Sequence, residues 1–334
     1  MPVLSVETLR TASEQTFVRA GVSKEVAQHV VGLLIRANLA GHDSHGVVRI
    51  PGYVDQLIAG RIVPDAEVEI LDETPTSARL KGNHHFGQVV LARGAEVAIS
   101  KSEQAPVSLV TAYQYSHCGQ LGAYAAMLTE ADRVGIVLLG KQRGAVVPAG
   151  GKSGRLYQNT LAIALPSTKP FPVVLDMATC VAPFGKVLVR RARNELCPEG
   201  WLVDADGNPS RDPFLDFSAG EGGLLPLGSP QVGHKGSGLT FVLGILATAL
   251  SGAGGQGEGT LIMAVNPAFF GDPNGFREEV ALCVDYLNET SPIEGVDRVL
   301  APGERSYLES RRRQAEGIYV EDSTWDKIQE LASV

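Results

Sequence analysis

The 334-residue chain carries 29 lysines and arginines against 37 aspartates and glutamates, a formal net charge of −8 at pH 7. That balance excludes the basic footprint nucleic acids and anionic membrane surfaces require, and leaves a small molecule as the expected ligand. With 44% apolar residues, 20% charged residues and 38 glycines, the composition is that of a folded protein rich in tight turns, long enough for two or three packed subdomains.

The first residues, "MPVLSVETLRTASEQ", lack the basic stretch and apolar core of a secretory signal. Ser23 is placed to cap a helix with Val26, Val30, Leu33, Leu34 and Ala37 at helical spacing, and Gly41 supplies its left-handed stop. Pro51 suits the first turn of a second helix with Tyr53, Val54, Leu57 and Ile58 on its apolar side, ended by Gly60. "HDSHGVVRI" is therefore expected to be a connector between two helices.

From about Ser77 the pattern becomes mixed α and β. "SARLKG", "VSLVTAY", "GIVLLG", "LAIALP" and "FPVVLDMA" read as short strands, with helical stretches near Gln88–Ser100 and Gly122–Arg133 between the first three. Glu199 to Phe214 is a turn-rich surface excursion. Gly238 to Ala253 is the most apolar stretch but shorter than the roughly 20 residues of a bilayer span, so it is expected to be a buried helix. A strand "GTLIMAVNP", an acidic stretch around Asp285–Glu294, a tight turn "APGER" with Glu304 and Arg305 exposed, a basic helix and a last short helix from Thr324 to Leu331 complete the chain. Cys118, Cys180, Cys197 and Cys283 lie far apart with no C-x-x-C spacing, which argues for a reducing cytoplasm over a disulfide framework or zinc ribbon.

Several stretches carry chemistry. His42 and His45 flank Asp43 and Ser44, but Gly41 and Gly46 break the helix that would turn this spacing into a metal site. A connector histidine can instead exchange protons near neutral pH, with Ser44 orienting it and Arg49 offering a planar fork to a carboxylate. The alternative is a polar turn in which Asp43 and Ser44 bond local backbone. His117 in "YSHCGQLGAY" follows a strand and precedes a helix opened by Gly119 and Gly122. In "VGHKGSGLTF", Lys235 and free N–H groups at Gly236, Ser237 and Gly238 suit a phosphate, or the glycines merely allow close helix packing. Asp176 ends a strand, where its carboxylate could accept from ribose hydroxyls. No P-loop or G-x-G-x-x-G fingerprint occurs between strand and helix.

Together and in this order, "ANLAGHDSHGVVRIPGYV", "SHCGQLGAY", "DMATCVAPFGK", "EGWLVDADGNPSRDP", "HKGSGLTFVLGILATALSGA" and "APGERSYLESRRRQAEGI" resemble the type 2 malate/L-lactate dehydrogenases, or L-sulfolactate dehydrogenase-like family, with wording nearest its hydroxycarboxylate dehydrogenase B branch. The resemblance implies a non-Rossmann α/β fold with a mixed, largely antiparallel sheet and flanking helices. It implies an N-terminal helical region (1–75) that packs with the C-terminal segment, a mixed α/β core for cofactor and substrate (76–300), and a C-terminal helical segment (301–334). It also implies a cytoplasmic homodimer whose dimerisation completes the site, using NAD or NADP to interconvert 2-oxo and L-2-hydroxy acids, without a metal, nucleic acid or membrane.

By that family pattern, His45 resembles the proton donor with Ser44 beside it, and His117 is a second candidate for the same role. Arg49 and Asn159 resemble substrate ligands. Asp176, Met177, Ala178, His234, Lys235, Gly303 and Glu304 resemble cofactor contacts. Lys186 stands where the imine-reducing branch has an aspartate, which argues against cyclic imino acids, the alternative substrate class together with diketo sugar acids. Outside the family, a metal-dependent hydrolase or lyase would use His42, Asp43 and His45.

Overall fold

The computed structural model describes residues 2–220, 222–254 and 257–333. After a short strand, β1 (Val3–Leu4), two serine-capped helices follow: α1 (Val6–Arg19), whose Ser5 accepts from Thr8 N–H, and α2 (Lys24–Leu39), whose Ser23 accepts from Val26 N–H. α2 ends where Gly41 adopts φ +78°: its N–H donates to Asn38 O and that of His42 to Ala37 O, the paired bonds of a left-handed terminator. Two 3-10 turns, Asp43–His45 and Val47–Arg49, lead into α3 (Ile50–Ile58), which carries Pro51 in its first turn. The expected connector is thus a pair of tight turns held between two helices.

Next come β2 (Glu69–Glu73), β3 (Ser77–Lys81), α4 (Gly87–Lys101), β4 (Val107–Tyr113), α5 (Gly122–Glu130), β5 (Val134–Gly140), β6 (Thr160–Leu165) and β7 (Val173–Ala178). A smaller unit holds α6 (Phe184–Ala192), β8 (Leu202–Val203), β9 (Pro209–Ser210) and β10 (Gly223–Leu224). The chain then returns through α7 (Gly233–Ser251), β11 (Gly259–Val265), α8 (Pro273–Asn288), α9 (Glu304–Glu316), β12 (Ile318–Tyr319) and α10 (Asp322–Ser333).

The main sheet has the order β2-β3-β4-β11-β5-β6-β7, parallel only between β3 and β4 and antiparallel elsewhere. Register aligns Val110, Ile262, Val137 and Ala162 across its four central strands, all fully buried. Burial of such an aliphatic side chain contributes about 1.5–3 kcal/mol. α4 comes so close over this row that a Cβ at Gly94 would lie 2.7 Å from Ile262 Cδ1. The excursion near residues 199–214 is part of a three-stranded sheet, β10-β8-β9, over a core of Val146, Val187, Cys197, Leu202 and Leu224.

A second core joins the two ends of the chain. Leu9, Phe17, Leu34, Ile35, Ile50, Tyr53 and Phe86 pack with Ile318, Val320 and Ile328, and β1 pairs antiparallel with β12. The helix that carries Gly238 to Ala253 departs from expectation. α7 lays Leu243 against Leu138 and Leu261 of the sheet, but Phe241, Val242, Ile245, Leu246 and Leu250 are exposed along its other side. Its apolar residues exceed what one sheet face can cover. No helix among the described residues is long and apolar enough to cross a membrane. The helix α8, capped by Asp272, had no sequence expectation, since its polar and apolar residues mix without a clean stripe.

Candidate functional site

The connector is clamped from beneath by Asn38 of α2. Its Oδ1 accepts from Val47 N–H and its Nδ2 donates to Asp43 Oδ1, both at 2.8 Å. Gly46 is required for this approach: a Cβ there would lie 2.0 Å from Asn38 Oδ1. Arg313 of α9 closes the clamp, with Nη1 and Nη2 on the two Asp43 oxygens (2.6 and 3.1 Å) and Nη1 also on Asn38 O (2.7 Å). Such a bidentate guanidinium–carboxylate pair fixes orientation as well as distance. Asp43 is therefore spent on the fold, and among the described residues no group of three or more His, Cys, Asp or Glu is arranged to hold a metal ion.

On the other side of the connector, His45 faces His117. Their rings stack with centroids 5.8 Å apart and an interplanar angle of 18°. Ser44 Oγ lies 3.1 Å from His45 Nδ1. Arg49 Nε donates to Ser44 O (2.6 Å), and its terminal nitrogens carry no acceptor among the described residues. Burial holds both imidazoles below the usual histidine range, His45 at about 4 and His117 at about 3, and the Arg49 guanidinium pushes both the same way. The site thus pairs two neutral imidazoles with one unspent cation.

His117 rests on residues that sequence reasoning did not single out. Tyr53 Oη lies 2.7 Å from His117 Nδ1 and accepts from Gln88 Nε2 at 2.8 Å. Gly87 lets α4 start against this loop, since a Cβ there would meet Ser116 O at 2.2 Å. In the sequence, Tyr53 reads as one more apolar residue of a helical stripe, and its partner lies 64 positions away. A third group was also missed. Lys141 Nζ lies 3.4 Å from Glu258 and 5.5 Å from the Tyr157 ring centroid, and Tyr157 Oη donates to Glu258 at 3.3 Å. Arg49 is close enough to influence Tyr157 electrostatically, which sets this cluster beside the histidines.

Of the expected cofactor residues, Asp176, Met177 and Ala178 end β7, and Gly303 packs at its start beside Val174. Asp176 Oδ2 accepts from Gly122 N–H at 2.8 Å, and burial raises its pKa. Thr179 meets α7 two turns in from its start, at Thr240 (Oγ1 to Oγ1, 2.6 Å), and its O accepts from Leu227 N–H (3.0 Å), the residue against which Gly236 of the first turn packs. The start of α7, which carries His234 and Lys235, has no side-chain cap, and a Cβ at Gly236 would lie 2.2 Å from Leu227 O. The N–H groups of Ser237 and Gly238, expected to be free, fall inside the helix, and that of Lys235 donates to Val232 O (2.9 Å), so the positive helix end and the exposed Lys235 are what fit a phosphate-bearing nicotinamide cofactor. His42, lowered mainly by burial, meets Ser306 Oγ at 3.3 Å and lies within charge range of Asp176 and Arg305.

One further expectation needs correction in its geometry. Glu304 is not exposed: it is buried, accepting from Ala301 N–H (3.0 Å), Asn288 (3.1 Å) and Arg298 (2.5 Å), because Gly303 turns it inward at φ +90°. Gly303 packs so tightly on β7 that a Cβ would meet Val174 N at 2.9 Å. Asn159 is also buried, with Oδ1 accepting from Lys141 N–H (2.9 Å) and Nδ2 donating to Thr240 O (2.7 Å). Its amide joins β6, α7 and the Lys141 segment, and so sets the position of Lys141.

Comparison with known proteins agrees with this geometry. The family profile described as malate/L-lactate dehydrogenase matches residues 4–329. The malate/(S)-sulfolactate dehydrogenase of Methanothermus fervidus is 35% identical, over 99% of this chain and 97% of its own length. Hydroxycarboxylate dehydrogenase B of Escherichia coli O157:H7 is 30% identical, over 98% of this chain and 92% of its own, so identity does not single out that branch. The crystal structure of malate dehydrogenase from Entamoeba histolytica superposes with a TM-score of 0.93 at 29% identity, over 99% of this chain and 97% of that one. The chain belongs to the malate/L-lactate dehydrogenase family and is an oxidoreductase of 2-hydroxy acids.

Proposed function

We propose that the protein interconverts 2-oxo acids and L-2-hydroxy acids with NADH or NADPH, using Arg49 to hold the substrate carboxylate and the stacked histidines to manage the proton at the C2 oxygen. The observation that carries this reading is the unspent Arg49 guanidinium beside two neutral imidazoles. A carboxylate on Arg49 cancels the repulsion that helps hold His45 low, so substrate binding itself raises the affinity of His45 for a proton. Free His45 is neutral at pH 7 and ready to accept the hydroxyl proton of a 2-hydroxy acid. Substrate-bound His45 returns it in the opposite direction.

When bound, the nicotinamide cofactor supplies or accepts the hydride at C2. The residues expected to hold it are Asp176, Met177 and Ala178 at the end of β7, with His234 and Lys235 at the start of α7. Gly303 and Glu304 shape the neighbouring wall. Cys118, Cys180, Cys197 and Cys283 are free thiols, which suits a reducing cytoplasm. We also read the exposed apolar side of α7 as the contact of a homodimer. Phe241→Glu is expected to leave the far-UV circular dichroism unchanged and to yield monomers in sedimentation velocity, where a wild-type monomer would refute the dimer.

The test is a panel of 2-oxo acids and cyclic imino acids, each offered with NADH and NADPH. Turnover of 2-oxo acids is expected to exceed that of cyclic imines, because Lys186 replaces the acid that the imine-reducing relatives carry. Oxidation of neither reduced cofactor by any 2-oxo acid would overturn the reading.

A further inference from the structure

The two stacked histidines differ in what their Nδ1 atoms meet. Around His117 Nδ1 two donors converge: the Gly119 N–H at 3.3 Å, a group that can only donate, and the Tyr53 hydroxyl at 2.7 Å. The Tyr53 oxygen already accepts from Gln88 Nε2 at 2.8 Å, which leaves its own proton for His117, where Nδ1 at 2.7 Å is a far closer acceptor than the backbone O at 3.4 Å. Burial raises the Tyr53 pKa, so the hydroxyl keeps that proton. A nitrogen faced by two donors must carry a lone pair, and in a neutral imidazole the proton then sits on Nε2. His45 Nδ1, in contrast, meets one group among the described residues, the Ser44 hydroxyl, a rotor able to donate or accept.

We propose that Gln88 and Tyr53 are positioning residues that hold His117 as the neutral Nε2–H tautomer, a fixed hydrogen-bond donor to the substrate oxygen, and so leave the exchanged proton to His45. This rests on the dehydrogenase reading above. In the oxidising direction the substrate O–H bond breaks and its proton passes to His45 Nε2, while the C2 hydride leaves with two electrons to the oxidised nicotinamide. His117 stays unchanged, its Nε2–H stabilising negative charge as it develops on that oxygen. Protonating His117 would set an Nδ1–H against the Gly119 N–H. Arg49, His45 and Tyr53 are the titratable or charged groups around it, and the first two oppose a second proton.

The chain explains two features. Gln88 is fully buried, and its Oε1 has no partner, a cost tolerated where the amide is fixed by its Nε2 contact. Tyr53 is wedged between Phe17 and Phe86, with ring centroids at 6.4 and 6.0 Å, so its hydroxyl is aimed by packing.

The test is imidazole ¹⁵N NMR of the histidine-labelled protein, with His117→Gln to assign the resonances. The wild type is expected to show His117 with a pyridine-like Nδ1 and a pyrrole-like Nε2, unchanged from pH 6 to 9. Tyr53→Phe removes one oxygen, and Gln88→Leu removes the orienting donor. Each is expected to shift His117 toward tautomer averaging and to lower kcat about two- to tenfold with KM within about threefold. A pyrrole-like Nδ1 in the wild type, or an unaltered tautomer in Tyr53→Phe, would overturn the proposal. Because the spectrum needs no turnover, an inactive wild type would remove the dehydrogenase reading while the NMR still decides the tautomer.

Discussion

The two sides of the candidate site solve the placing of a histidine in opposite ways. His45 sits in a 3-10 turn whose backbone is gripped by Asn38, Arg313 and the close approach of Gly46, yet beyond its stacking on His117 the ring has one side-chain hydrogen-bond partner among the described residues, the Ser44 rotor. His117 sits in a loop after β4, and there it is the ring that is gripped, by Tyr53 and Gly119. A fixed backbone with an adaptable ring suits a group that must change protonation. A pinned ring suits a group that must present one unchanging donor.

Removing the shared cation should expose this contrast most strongly. Arg49→Met is expected to lower kcat/KM about 100- to 1,000-fold, as loss of a buried charge partner does. It should also raise the His45 pKa, since a neighbouring positive charge is gone. Steady-state kinetics on the best 2-oxo acid checks the first, and NMR titration the second. An Arg49→Met enzyme with wild-type KM would take the carboxylate away from Arg49.

Loosening the grip on the connector should cost less. Arg313→Met keeps both histidine side chains but frees Asp43 and with it the backbone that places His45, and the expected loss is about tenfold in kcat, the penalty for a misplaced reacting group. An unaltered rate would show that Asn38 alone holds the connector.

Acid stability provides the gentlest probe. Both histidines have folded pKa values, about 4 and about 3, below the ordinary 6.5 of the unfolded chain. The unfolded state therefore binds protons first as pH falls. Their contribution is complete above pH 6.5 and lost on acidification, down to about pH 4 for His45 and about pH 3 for His117. The slope is at most about 1.4 kcal/mol per pH unit for each. Urea denaturation between pH 4 and 7 should show a shallower slope in His45→Gln and His117→Gln than in the wild type, and equal slopes would contradict the burial of neutral imidazoles.

Much of this site could be read in the sequence where its signals are local. The Ser23 cap, the Gly41 stop and Pro51 mark the connector, and alternating β-branched runs mark β3 to β7. What stayed hidden is non-local. β11 inserts between β4 and β5, which no loop length announces. Asp43 owes its role to Arg313, 270 positions away, and Tyr53 looks apolar until His117 is brought to its hydroxyl. Glu304 was misread because a glutamate in a turn is ordinarily solvated, and only the inward turn at Gly303 reveals its three hydrogen-bond partners. The exposed face of α7 was missed because composition does not reveal how much of an apolar helix one sheet face covers.

The asymmetry between the histidines is tested most directly by giving both positions the same side chain, one that donates a hydrogen bond but cannot titrate. His45→Gln and His117→Gln are compared in kcat for one 2-oxo acid at pH 7. His45→Gln is expected to lose about 100-fold or more, as removal of a general acid does, and His117→Gln to stay within about tenfold of wild type because glutamine still donates. The reverse order would place the moving proton on His117 and contradict the account.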